Sequence, residues 1–295
     1  MFLLKKHFAL LGALLLSVSA LAGCGTSAPQ NGSGTASSSS EPTATLDDLK
    51  ERGCINVAVK TDVPNFGYQN EDGSFEGLEV DIAYELAASL FDVEPEQAKE
   101  DGLVNFIGVT YDERGKVLDD GTADFTIATF SITEERKTQW NFTTPYYTDS
   151  LGLMVEKAVT DSNSLGTQAI TSISKLDGKI IGVARNTTTR ADLLAYLDRN
   201  GLDITPQFME FGSYDALKQA LDAGTIDVFS VDRSILYGYV DNKTTILPDK
   251  FAYQNYGIAT AKANTELAEF AQQTLDEISQ DSTLSELIRS RNIDS

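Results

Sequence analysis

The sequence predicts an α/β protein with two lobes and a cleft between them. Two observations carry this expectation. Short β-branched runs alternate with runs of helical period, the pattern of a parallel sheet packed between helices. The alternation then comes twice, in two successive sets along the chain. Ligands of such sheets bind outside the carboxyl ends of the strands, where helices begin. Between two lobes that position is a cleft, and a hinge lets the lobes close on a small ligand.

The first set opens with Ile55 to Lys60, short and β-branched. Leu78 to Phe91 follows, with Leu78, Ile82, Leu86 and Leu90 on one helical face. Val104 to Val109, Ala123 to Ala128 and Leu151 to Val155 read as strands. In the second set Lys179 to Val183, Gln207 to Phe211 and Ile226 to Val231 read as strands. Thr187 to Leu197, Ser213 to Leu221 and Arg233 to Val240 read as the helices between and after them, the first with threonines to cap it. Tyr256 to Ala259 is a further strand and Thr265 to Ile278 a further helix.

Ahead of these sets stands a different kind of segment. Lys5 and Lys6 precede the apolar run Phe8 to Leu16, which ends in Leu21-Ala22-Gly23-Cys24. The run is too short to span a bilayer, which takes about 20 apolar residues. A positive start, a brief apolar core and small residues before a break read as a secretory signal over 1–23. Leu-Ala-Gly-Cys resembles the bacterial lipobox, which implies that Cys24 is acylated and anchors the chain to the membrane. Residues 24–45 are rich in Gly, Ser, Thr and Ala and cannot bury enough surface to offset ordering entropy, so they read as a flexible tether.

Composition removes several functions. A formal net charge of -21 disfavours nucleic acid as a partner. The only histidine, His7, falls in the signal, so the mature chain has no Ser-His or Cys-His pair and few means of holding zinc. With Cys24 lipidated, Cys54 has no disulfide partner and reads as a small buried hydrophobe. The expectation is a binding protein, not an enzyme, without cofactor or metal and acting as a monomer. A carboxylate-dependent enzyme on the same fold is the alternative.

Several motifs resemble the family 3 extracellular solute-binding proteins. They are Val59-Lys60-Thr61-Asp62-Val63-Pro64, Phe75-Glu76-Gly77-Leu78-Glu79-Val80-Asp81-Ile82, Ile127 to Arg136, Phe142-Thr143-Thr144-Pro145-Tyr146-Tyr147, Ile226 to Arg233, and Gln254 to Ala259. They run in order across the mature domain. The resemblance implies a two-lobed periplasmic-binding-protein-like fold (type II) and an amino-acid receptor that delivers its ligand to the permease of an ABC importer. Lobe 1 is then discontinuous, 46–145 plus 257–295; lobe 2 is 151–251; hinges lie at 146–150 and 252–256.

The resemblance also implies a site. Arg136 matches the family's carboxylate clamp, for which a planar guanidinium suits two parallel bonds. Ser131 and the carbonyl of Thr129 match neighbouring contacts. Thr188 matches a carboxylate donor on the other lobe, at a helix start. Asp232 matches the ammonium acceptor, though its place before a helix also suits an N-cap. Lys60, Arg114 and Tyr214 match the groups that meet a distal carboxylate in the aspartate, glutamate and glutamine branch. Phe66 matches an aromatic wall, with a core role as the alternative. Three cations against Asp232 leave a positive pocket, which favours glutamate or aspartate. Asp62 works against this: inside the pocket it would favour glutamine.

Overall fold

The computed structural model describes residues 44–162 and 169–293. The expected signal, Cys24 and all but the last two tether residues lie outside the described residues. Those last two belong to the body. Thr45 caps α1 (Leu46–Arg52) in a reciprocal capping box with Asp48, and the Ala44 carbonyl accepts from Asn264 Nδ2 at 2.7 Å.

Two sheets organise the chain. The first has five strands in the order β5-β1-β6-β14-β7. These are β1 (Ile55–Lys60), β5 (Val104–Val109), β6 (Phe125–Thr126), β7 (Trp140–Phe142) and β14 (Ala259–Ala261). The second has β8 (Tyr147–Glu156), β9 (Ile180–Ala184), β10 (Gln207–Phe211), β11 (Val228–Asp232) and β12 (Thr244–Ile246), in the order β10-β9-β11-β8-β12. β13 (Phe251–Tyr256) pairs with β8 as well. The sheets are mixed. β1 runs parallel to β5 and β6, and β9 parallel to β10 and β11, but β8 is antiparallel to its neighbours and β14 to β6 and β7. The antiparallel strands are those where the chain passes between the sheets, a departure that strand-helix alternation does not register. A small sheet of β2 (Asp62–Val63), β3 (Gly67–Gln69) and β4 (Phe75–Glu76) adjoins β1.

The helices cover these sheets with the faces their periodicity gives them. α2 (Leu78–Phe91) buries Leu78, Ile82, Leu86 and Leu90. It starts after Gly77, whose φ of 124 and place 2.1 Å from the Phe66 carbonyl oxygen (measured from an added Cβ) admit no side chain. α3 (Pro95–Glu100) packs on α2, and α4 (Lys116–Asp119) and α5 (Glu134–Gln139) lie in the connections that reach β6 and β7. On the second sheet lie α6 (Thr189–Arg199), α7 (Tyr214–Asp222) and α8 (Arg233–Tyr239). α9 (Thr265–Gln280) and α10 (Thr283–Ser290) return to the first lobe and pack on α2.

Several elements differ in extent from expectation. Within the run Ala123 to Ala128 the strand is Phe125–Thr126, though the flanking Asp124 and Ile127 N–H groups also donate to the β1 carbonyls of Asn56 and Ala58, at 2.9 Å each. Tyr256 to Ala259 is not one strand: β13 ends at Tyr256 and β14 begins at Ala259. The runs expected near 146–150 and 252–256 are parts of longer strands, β8 and β13, which continue into the second sheet. Cys54 is half-buried, at the exposed entrance to β1.

Candidate functional site

Where the strands of the two lobes end, a cluster of charged and aromatic side chains meets. The first lobe supplies its floor from the turn after β6. Thr129 has φ 43, a left-handed conformation a threonine adopts only when held. Two charged groups hold it. The Thr129 N–H donates to Glu79 Oε1, and Arg114 Nη1 donates to the carbonyls of Thr129 at 2.6 Å and Ala128 at 3.3 Å. Arg114 Nε adds a bond to the Tyr111 carbonyl at 3.0 Å.

Glu79 lies on the buried face of α2 and accepts from the Tyr146 hydroxyl at 2.7 Å; its Oε2 has no hydrogen-bond partner among the described residues. Burial pushes its carboxyl up to about 7, against the pull of Tyr146 and Thr129.

Arg136 projects from the first turn of α5, whose cap Thr133 accepts the Arg136 N–H at 3.1 Å. Its Nη1 donates to the Ser131 carbonyl at 2.8 Å. Its Nη2 reaches across to the Asn186 carbonyl at 3.4 Å. Burial first, and Arg114 second, lower its hold on its proton. The Phe130 ring lies against both guanidinium groups, with Arg114 Cζ 4.7 Å and Arg136 Cζ 4.8 Å from its centroid.

Lys60 ends β1 and is fully buried. Its ammonium lies 5.3 Å from the ring centroids of both Tyr111 and Tyr214 and 2.9 Å from Asp62 Oδ1. The ion pair is close but not aligned as a hydrogen bond, so Nζ and Oδ1 are both left without one among the described residues. Burial pushes Lys60 down, Asp62 pushes it back, and the net direction is down.

The second lobe brings Thr188, Tyr214 and Asp232. Thr188 stands at the start of α6, but its hydroxyl does not cap the helix; it donates to Gln254 Oε1 at 3.1 Å. Gln254 in turn donates to Asp192 at 3.0 Å. Tyr214 begins α7 and is 2 % exposed against Tyr111, at 5.7 Å between centroids. Asp232 ends β11. It stands at the N-cap of α8 yet makes no side-chain cap bond, and its Oδ1 is buried without a hydrogen-bond partner among the described residues. Burial, then the neighbouring Asp149 carboxylate, pushes it up to about 7.

The structure thus brings together Lys60, Arg114, Thr129, Ser131, Arg136, Tyr214 and Asp232. Thr188 lies beside them, its hydroxyl turned to β13. Phe66 is fully buried, edge-on to Tyr147 at 5.1 Å and to Tyr256 at 5.9 Å, and packs with the core aromatics. Glu79, Tyr111, Phe130 and Asp149 escaped the sequence reading. Glu79 carried a signal: it is a carboxylate on the apolar face of α2, between Leu78 and Ile82.

The model of the bacterial extracellular solute-binding proteins, family 3, matches residues 55–290. The chain belongs to that family. Over 294 residues it is 31% identical to the ABC transporter glutamine-binding protein GlnH of Bacillus subtilis, covering 97% of each chain. It is 26% identical over 290 residues to the glutamate-binding protein GluB of Corynebacterium glutamicum, covering 95% of this chain and 88% of that one. A crystal structure of a mutant ArgBP from T. maritima aligns with a TM-score of 0.68 at 26% identity, over 83% of this chain and 97% of that one. The fold of this family 3 protein is the two-lobed periplasmic-binding-protein fold.

Proposed function

We propose that this family 3 protein is the extracytoplasmic receptor of an amino-acid ABC importer, held to the membrane by lipid on Cys24, and that its ligand is glutamate or aspartate. The observation that carries the reading is the opposed charge of one small site. Asp232 offers an unpartnered buried oxygen, and Lys60, Arg114 and Arg136 gather around the same space. A free amino acid presents one ammonium and one carboxylate, and an acidic one presents a second carboxylate. In this reading Arg136, with Ser131 and the Thr129 carbonyl, holds the α-carboxylate and α-ammonium from the first lobe. Asp232 and the Thr188 segment close over them. Lys60, Arg114 and Tyr214 meet the side chain.

The three cations weaken one another when no anion separates them, which supports an acidic ligand. β8 and β13 serve as the hinges, lobe 1 being 46–145 with 257–295 and lobe 2 being 151–251. The receptor works as a monomer, takes no cofactor, does no chemistry on its ligand and passes it to a permease.

One observation favours glutamine instead. Asp62 already neutralises Lys60 at 2.9 Å, and GlnH is named for glutamine.

Titration calorimetry of the purified protein decides between them, after unfolding and refolding to strip carried ligand, with aspartate, glutamate, glutamine and arginine. Tight glutamate or aspartate binding with weak glutamine is the expected result. Preference for glutamine leaves the receptor and removes the acidic ligand. Binding of none of the four overturns the amino-acid reading.

A further inference from the structure

The unpartnered oxygen of Asp232 needs a cause, because an acid at a helix N-cap ordinarily spends itself on the cap. Ser234 is the second residue of α8, and its N–H is one of the donors such a cap satisfies. That N–H donates to Asp149 Oδ2, at 3.1 Å. The Ser234 hydroxyl donates to the same oxygen, and the Tyr256 hydroxyl lies 3.3 Å from it. Asp149 Oδ1 accepts the Ser150 N–H at 2.6 Å. Asp149 sits on β8, 4 % exposed, and every bond it makes is to a fixed neighbour. Arg233, beside Asp232, gives no help: its Nη1 donates to the Leu247 and Asp249 carbonyls at 2.8 and 3.2 Å.

We propose that Asp149 is a positioning residue for the amino-group site: by capping α8 from β8 it keeps Asp232 free for the ligand's ammonium, and the proximity of the two carboxylates makes ammonium binding release a proton. This rests on the amino-acid reading above. The charged and titratable groups facing Asp232 are Asp149 on β8, Tyr256 on β13, Arg114 ahead of α4, Arg136 on α5 and Tyr214 on α7. The arginines favour the ionised carboxylate, but burial and Asp149 outweigh them, and the net direction is up. Asp149 is pushed up as well, by its own burial. Each of two adjacent buried carboxylates makes the other harder to ionise, and the arginines do not fully offset this, so the pair keeps part of a proton near neutral pH. The ammonium supplies one positive charge and donors for Oδ1, the pair ionises fully, and the displaced proton goes to the buffer. Affinity is therefore full above the raised pKa and falls as pH drops below it.

The test is calorimetry with glutamate and with glutamine as probes, at pH 6.5 in two buffers of different ionisation enthalpy, and affinity measured from pH 8 to 5.5. The wild type is expected to release between one half and one proton per amino acid, with affinity falling severalfold per pH unit below about 7. In Asp149→Asn, which keeps an acceptor for Ser234 but removes the charge, fewer protons are released at pH 6.5 and the affinity profile moves to lower pH. A structural role alone lowers thermal stability without changing the proton count. The remaining buried acid near the cations, Glu79, is unaltered in this variant, so the difference belongs to the pair.

A wild type that releases no proton overturns the proposal, even if the variant fails to fold. So does an Asp149→Asn protein with the wild-type count and profile. Asp232→Asn separates the two readings. If it binds as tightly as wild type, the amino-group assignment itself fails. If it loses binding while Asp149→Asn behaves as wild type, only the positioning role fails.

Discussion

Arg136 makes one bond within its own lobe and one across the gap, each through a different terminal nitrogen. A lysine has one nitrogen and cannot span both, nor lie flat on Phe130 as a guanidinium does. Arg136→Lys should cost about a hundredfold in affinity for the bound amino acid, the worth of a charge-assisted hydrogen bond. Calorimetry reads this directly, and unchanged affinity removes Arg136 from the clamp. Glu79 gives a prediction about stability. Its folded-state pKa lies near 7, above the ordinary carboxylate value, so the folded state binds the proton more tightly than the unfolded one. Its stabilising contribution is full below the unfolded pKa and is lost as pH rises to about 7, by about 3 kcal/mol over that window. Denaturant unfolding from pH 4.5 to 7.5 should show this fall in the wild type, and a shallower one in Glu79→Gln, which keeps an acceptor for Thr129 and Tyr146.

At the scale of elements, β8 carries much of the design. It joins the second sheet, presents Asp149 to α8, and at Gly152 leaves room for Arg233. An added Cβ there would lie 2.6 Å from Arg233 Cγ and 3.2 Å from Leu236 Cδ1. Arg233 is fixed by its bonds to the Leu247 and Asp249 carbonyls and cannot retreat. Gly152→Ala should therefore destabilise the protein by about 1–3 kcal/mol, the usual cost of overpacking, seen as a lower melting temperature. Much of this level was legible in the sequence. β1, α2, β5 and β10 have the expected bounds because each carries a clean period of one kind. What failed depended on partners distant in the chain. Nothing local tells that Asp149 caps a helix 85 residues on, or that Thr188 turns to Gln254. Phe66 was ambiguous because a core aromatic and a pocket wall have the same local sequence.

At the scale of the whole molecule, the lobes also touch each other directly. Asn186 Nδ2 donates to Asp112 Oδ1 at 2.9 Å, Tyr239 to the Asp62 carbonyl at 2.9 Å, and Tyr111 to the Phe211 carbonyl. Such contacts strengthen the closed arrangement and slow escape of whatever it encloses. Tyr111→Phe removes one of them and keeps the ring beside Lys60. The expected result is ligand dissociation about fivefold faster with little change in association, since one neutral hydrogen bond is worth about 1 kcal/mol. Stopped-flow kinetics measures both rates, and an unchanged dissociation rate shows that Tyr111 does not hold the lobes.

Trp140 is the single tryptophan of the chain. Its indole packs on Phe130 at 5.4 Å between centroids and its Nε1 donates to Asp119 at 2.8 Å. Phe130 is the ring that both Arg114 and Arg136 lie against. Neutralising those guanidinium groups changes the electric field at an indole only one ring away. The protein accordingly carries its own optical reporter, and its ultraviolet emission should shift when the site fills, with no dye attached.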